Sequence, residues 1–413
     1  MSNRSLGLFD GYGIELEYMI VHADTLDVAP RADDLLRRAT GGNNNEHDAG
    51  TIWWSNELVR HVIELKNPAP VSSLDGLDRL FRHEIDAINT MLQQHQARLL
   101  PTGAHPFMNP LRDTRLWEYE NNEIYEVYDR IFSCKGHGWS NLQSTHLNLP
   151  FCGDEEFAQL HSAIRLVLPI IPALCASTPI LDGKQTGICD SRLQEYQFNQ
   201  QKIPSISGHT IPEEIASRQE YEERILRPMY RDIAPFDPDG TLQHEWLNSR
   251  GAIARFERSA IEIRIIDSQE SPHADVAVCA LISEVVRALT EERWSGADEQ
   301  TGWDEQELEK VYLDTVKDGS RANITNTRYL KCFGYSAQRS CTAGRLWAFL
   351  FWRCISENSP WYAHLSTIRE HGNLSERIVS ALGEDIAHKA VFSVYRKLAD
   401  CLKSGDSFNL QVY

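Results

Sequence analysis

Apolar and polar side chains alternate over four short stretches in the first two thirds of the chain: residues 13–21 (GIELEYMIV), 60–66 (RHVIELK), 144–151 (STHLNLPF) and 260–267 (AIEIRIID). A period of two marks a strand with one buried face, so each stretch is predicted as a β-strand. Between them the period lengthens. Leu74, Leu77, Phe81, Ile85, Ile88 and Leu92 recur at mostly three- and four-residue spacings, which predicts an amphipathic helix with Ser73 as its N-cap. Further helices are predicted from residue 154 towards 175, bent or ended by Pro169 and Pro172, and over 212–227 and 274–293. Beyond Trp294 the alternation stops, and residues 304–316, 341–355 and 375–402 read as helical. Turn formers mark breaks at residues 41–45 (GGNNN), which read as a mobile loop, and at Ser295-Gly296; no repeat period is present.

Successive side chains of a strand point to opposite faces, so Glu15 and Glu17 share one face while Ile14, Leu16 and Tyr18 share the other. The same grammar returns on three further strands. Glu64 lies between Ile63 and Leu65, His146 and Asn148 flank Leu147, and Glu262 and Arg264 alternate with Ile261, Ile263 and Ile265. Like charges side by side on a sheet call for compensation. If the strands are neighbours, an apolar face packs on helices, while the opposite face gathers carboxylates, an imidazole and a guanidinium. Hard oxygen ligands of this kind suit magnesium with substrate phosphates, and Arg264 is placed to hold a transferred phosphate. The competing reading is a solvated antiparallel strand face for the glutamates and a structural role for His146.

Composition narrows the chemistry. The 413 residues include 59 acidic against 41 basic side chains, a net charge of -18 that argues against polyanionic partners such as nucleic acid and anionic membrane. No stretch is read as approaching the roughly 20 apolar residues of a membrane helix, and residues 1–10 carry no leader pattern, which places the protein in the cytoplasm. Nine cysteines without a C-x-x-C pair fit neither a disulfide framework nor a zinc cage; Cys175 and Cys279 read as small buried apolar residues. P-loop, dinucleotide and serine-hydrolase motifs are missing.

Taken in order, these segments resemble the glutamate-cysteine ligase family of carboxylate-amine ligases, related in fold to glutamine synthetase and the guanidino kinases. The likeness rests on G-x-E-x-E at Gly13, Glu15 and Glu17, and on two acidic residues seven apart on a following strand, Glu57 and Glu64. It continues with His146 in THLNL, the segment STPILDGKQTGICDSR ending at Arg192, and E-x-R-x-x-D at Glu262, Arg264 and Asp267. It spans about residues 13–289, and residues 323–335 are a distorted form of a later arginine-containing helix motif. The resemblance implies an α+β fold: a curved antiparallel sheet with a polar metal-binding face, helices on the opposite face and a helical C-terminal portion at 295–413. Residues 1–413 then form one catalytic domain.

It further implies that Glu15, Glu17, Glu57, Glu64, His146 and Glu262 bind Mg2+, with Mn2+ as the alternative, that Arg264 contacts the transferred phosphate of ATP, and that Arg192 and Arg258 contact nucleotide or substrate. A solvated helix end is the alternative for Arg192, beside Asp190 and Glu195. Salt bridging to Glu257 or a neighbouring strand is the alternative for Arg258. The implied activity joins a carboxylate to an amine through an acyl phosphate, with glutamate and an amine such as cysteine as small-molecule substrates and self-association left open. A different acid or amine, a guanidino-kinase-like phosphotransferase and a non-catalytic binder are the alternatives.

Overall fold

The computed structural model describes residues 6–408; residues 1–5, part of the segment read for a leader, lie outside it. Its strands are β1 (Gly13–His22), β2 (Glu46–Asp48), β3 (Trp53–Asn56), β4 (Val62–Lys66), β5 (Ala97–Leu100), β6 (Ser144–Pro150), β7 (Ile180–Leu181), β8 (Lys184–Gln185), β9 (Ala252–Arg255), β10 (Ala260–Asp267), β11 (Asn323–Ile324) and β12 (Cys341–Thr342). The main sheet runs β2-β3-β4-β1-β6-β10-β9, with β5 paired to the end of β1. Every pairing in it is antiparallel. The four strands predicted from alternation are thus contiguous: β4, β1, β6 and β10.

One face of these strands is apolar. Ile14, Leu16, Ile63, Leu65, Leu147, Leu149, Ile261 and Ile263 are all fully buried. They share a core with Phe81, Ile85 and Ile88 of the helix Leu77–Leu92 and with the helices Gly153–Val167 and Pro272–Thr290. Burying each such side chain contributes about 1.5–3 kcal/mol, whereas a like-charge pair across two strands costs roughly 0.2–1 kcal/mol. The apolar face therefore sets the register and carries the charged face with it; a one-residue slip would exchange the two.

Several boundaries differ from the sequence reading. Ser73 is not the cap of the second helix: its hydroxyl accepts from the Asp75 N–H in a turn, and Gly76, at φ 86°, precedes Leu77. The helix expected at 212–227 starts at Arg218, capped by Ser217, and widens into a π turn over Glu222–Leu226 before continuing as Arg227–Ile233. Pro228 supplies no N–H there, and the wider turn accommodates it. The helix expected at 375–402 is two, Leu374–Leu382 and His388–Ser404, broken where Gly383 takes a positive φ of 58°.

The membrane expectation is also corrected. The helical run Gly153–Cys175, bent through a 3-10 turn at Leu168–Ile170, is long and apolar enough to cross a membrane, but 89% of its apolar window is buried inside the molecule. It is the core helix behind the sheet. The cysteines are free and six of the nine are buried, Cys175 and Cys279 among them.

Candidate active site

The polar face of β4, β1, β6 and β10 assembles the predicted residues. Register places Glu15 opposite His146 on one side and Lys66 on the other, and Glu17 directly opposite Glu64. Two groupings result, Glu15–His146–Glu262 and Glu17–Glu64–His146, each with candidate ligand atoms within 4.8 Å of one another. His146 belongs to both. Its Nδ1 lies 2.9 Å from Glu15 Oε2 and 3.9 Å from Glu262 Oε1, and its Nε2 lies 2.9 Å from Ser144 Oγ and 3.8 Å from Glu17 Oε1.

The electrostatics follow from this packing. Burial works against an imidazolium at His146, but the bond to Glu15 and the charges of Glu17 and Glu262 outweigh it and raise the ring to about 9. Burial likewise opposes the charge on Glu15, yet His146 and Lys66 hold its carboxyl below the usual range. Glu17 goes the other way. Burial and Glu64 lift it, although it accepts from both the N–H and the hydroxyl of Ser144 at 2.8 and 3.0 Å.

Glu57 is brought to the same end of the face but lies elsewhere than expected. It follows β3 in the connection to β4, so Glu57 precedes the turn while Glu64 lies within β4, and the two are not on one strand. The turn falls at Arg60 and His61, the first two residues of the stretch predicted as strand, so β4 starts only at Val62. Glu57 belongs to neither grouping of ligand atoms. Burial, Glu17 and Glu64 push its carboxyl well above the usual range.

Glu262 is held from two sides, by Arg264 Nε at 3.1 Å from Oε1 and by Arg255 Nη1 at 3.0 Å from Oε2. Burial opposes its charge, and these guanidinium groups with His146 reverse the effect and keep it low. A bulge between Ile263 and Ile266 inserts one extra residue at Arg264, whose Nη1 also donates to the Asn248 carbonyl at 3.2 Å. Arg258 sits in the turn between β9 and β10, more than half exposed, with Nη1 3.9 Å from Glu15 Oε1; its partner is thus a neighbouring strand rather than Glu257.

Arg192 is not a solvated helix end. It is 3% exposed and its Nε donates to Asp267, the acidic residue of the E-x-R-x-x-D strand. Asp267 also accepts from the Ser177 N–H at 2.7 Å and the Thr178 hydroxyl at 3.2 Å. The intervening D-G is a hairpin turn: Asp182 and Gly183, at φ 50° and 71°, join β7 to β8. Arg192 Nη2 is buried with no hydrogen-bond partner among the described residues.

Gly103 passes so close to this network that a Cβ there would lie 2.6 Å from the Asp267 carboxyl carbon. Gly103→Ala is expected to destabilise the protein by about 1–3 kcal/mol through overpacking, read as a lower urea midpoint. An unchanged midpoint would mean that Asp267 can move aside freely.

The sequence reading missed four residues of the charged face. Lys66 Nζ lies 3.0 Å from Glu64 Oε1, Arg255 bonds Glu262, and Ser144 and Ser55 donate to Glu17 and Glu64. Lys66 was legible, since E-x-K places it on the Glu64 face; Arg255 depends on the β9–β10 hairpin. In the distorted later motif, Arg328 is far from this chemistry: it stacks 4.0 Å over Trp303 and donates to the carbonyls of Thr301 and Gly302.

The fold is shared with solved structures. The chain is similar to the glutamate–cysteine ligase of Francisella tularensis in complex with AMP, at a TM-score of 0.62 and 12% identity, covering 97% of this chain and 90% of that one. It is also similar to a bifunctional glutathione synthetase from Pasteurella multocida, at a TM-score of 0.56 and 13% identity over 96% of this chain and 53% of that one. Together with a ligase family model that matches residues 12–382, the sheet and its carboxylate face define the class: an ATP-dependent ligase of glutamine synthetase-like fold. The family is glutamate-cysteine ligase family 2, and the chain belongs to it. Among relatives, an uncharacterised protein of Archaeoglobus fulgidus is 37% identical over 280 residues, 68% of this chain and 75% of that one. A Rubrobacter xylanophilus protein described as "putative glutamate–cysteine ligase 2-1" is 26% identical over 287 residues, 68% of this chain and 67% of that one.

Proposed function

We propose that the protein forms an amide bond, gamma-glutamyl in the leading case, between an amino-acid carboxylate and an amine at the expense of ATP, in the cytoplasm and within one catalytic domain. The observation that carries this reading is the pair of carboxylate groupings that share His146, with Arg264 beside them. Hard carboxylate oxygens with one imidazole fit a divalent cation such as Mg2+. Glu15, Glu17, Glu64, His146 and Glu262 would hold it, with Glu57 at the edge. Bound there, the metal supplies charge neutralisation for the ATP phosphates.

A free carboxylate is a poor electrophile. Its oxygen attacks the gamma phosphorus, the bond from phosphorus to the bridging oxygen breaks, and ADP leaves with the electron pair. The amine nitrogen then attacks the acyl carbon, the C–N bond forms as the C–O bond to phosphate breaks, inorganic phosphate departs, and the ammonium proton passes to solvent. The chain contributes position and charge rather than a nucleophile. Arg264 orients the transferred phosphoryl group with a guanidinium fork. The unpartnered Nη2 of Arg192 offers a buried donor to an anionic substrate group, and Arg258 extends from the exposed rim towards the nucleotide.

The test is incubation of the full chain with ATP, Mg2+ and pooled amino acids, followed by mass spectrometry. The expected result is a condensation product together with ADP and phosphate. A stable phosphorylated product instead of free phosphate would make the protein a phosphotransferase, and a product without glutamate would replace the acid.

A further inference from the structure

A cavity of about 560 Å³ lies among the helices Ile171–Cys175, Pro272–Thr290, Ala343–Cys354 and Tyr362–His371, and it shares no lining residue with the carboxylate groupings. Its floor is apolar. Leu174, Leu281, Trp347, Phe351, Leu365 and Ile368 line it and are each at most 7% exposed. Ala348, between Trp347 and Phe351 on the same side of its helix, is too small to fill the space.

The mouth is charged. Arg321, Arg345 and Arg369 stand on the lining against Glu370 and Glu376, an excess of positive charge in a chain whose net charge is -18. Both carboxylates are already engaged. Glu376 accepts from the Ser320 N–H and hydroxyl at 3.1 and 2.7 Å, and from the Asn373 N–H at 3.1 Å in the cap of the helix Leu374–Leu382. Glu370 is held by Arg369, whose guanidinium lies 4.6 Å from the centre of the Trp352 ring. Arg321 and Arg345 are exposed: Arg321 Nη1 is 3.9 Å from Glu376, beyond hydrogen-bond reach, and Arg345 pairs with no carboxylate among the described residues. A buried apolar floor beneath available guanidinium groups suits an organic anion with an apolar body.

We propose that this cavity is a binding site for a small amphipathic carboxylate, an acid with a medium-length hydrocarbon chain, whose apolar part lies on the floor and whose carboxylate meets Arg321 and Arg345. The inference is independent of the ligase reading and adds a site for a further small molecule. The chain gains by leaving water, about fourfold in affinity for each methylene buried. The guanidinium groups at the mouth fix which end enters first.

The test is isothermal titration calorimetry of the full chain with octanoate, butyrate and octan-1-ol at two temperatures. Octanoate is expected to bind at least about tenfold more tightly than butyrate, which lacks four methylenes. It is expected to bind at least about fivefold more tightly than octan-1-ol, which keeps the chain length and lacks the charge. In the double variant Arg321→Glu, Arg345→Glu, affinity for octanoate is expected to fall at least about fivefold while that for octan-1-ol stays within about twofold. Ala348→Trp, which puts an indole into the cavity, is expected to abolish binding of both. No binding of octanoate at either temperature, equal affinity for acid and alcohol, or an affinity for octanoate unmoved in either folded variant would overturn the site. ATP turnover is not the readout, so such a failure leaves the ligase reading standing.

Discussion

Glu15→Gln is expected to lower ADP formation at least about a hundredfold while the protein stays folded. Glu15 meets His146 Nδ1 at 2.9 Å, accepts from Asn148 Nδ2 at 3.2 Å and lies 3.9 Å from Arg258, so one carboxylate joins the shared imidazole to the Arg258 rim of the face. Glutamine keeps the shape, removes the charge and can turn an N–H towards His146. The proposed cation then loses one anionic oxygen of the Glu15–His146–Glu262 grouping, the loss expected to lower ADP formation. Folding itself rests on the opposite, apolar side of β1, where Ile14 and Leu16 are fully buried. Thermal melting and ADP release measured on one preparation separate these effects. Near wild-type turnover would remove Glu15 from the site, and a lost melting transition would make it a structural residue.

A second large effect belongs to stability. Arg377 and Glu270 form an ion pair with Nη1–Oε1 at 2.6 Å, and both side chains are at most 1% exposed. The pair also binds the tail: Arg377 donates to the Phe408 carbonyl at 2.8 Å, and the Phe408 N–H donates to Glu270 at 3.2 Å. Arg377→Met is expected to cost about 3–5 kcal/mol, because it strands a buried carboxylate. Replacing both partners by apolar residues is expected to cost less, and urea denaturation of the two variants decides the order.

The same pair sets an acid limit. Burial opposes ionisation of Glu270, but Arg377 and His364 hold its carboxyl at about 2 against an ordinary 4.5. Since the folded value lies below the unfolded one, the stabilisation is fully present above about pH 4.5. It is lost as pH falls towards 2, a change of about 3 kcal/mol by proton linkage. A wild-type protein whose stability did not change between pH 5 and pH 2.5 would contradict this.

The alternation at residues 13–21, 144–151 and 260–267 determined strands, faces and the side on which Glu15, Glu17, His146, Glu262 and Arg264 stand, because a period of two is a local property of the backbone. The order of motifs suggested the family, which the match over residues 12–382 bears out. Spacing could not supply neighbours. That β4, β1, β6 and β10 lie side by side, that His146 serves two carboxylate groupings, and that Arg192 reaches Asp267 from 75 residues away are results of tertiary packing. The same limit misplaced Glu57 on the strand of Glu64, since seven residues span either one strand or a turn that leads into it. Sequence by itself determined which way each side chain points along its own element; only the fold, driven by burial of the apolar face, decided which charges and rings face one another.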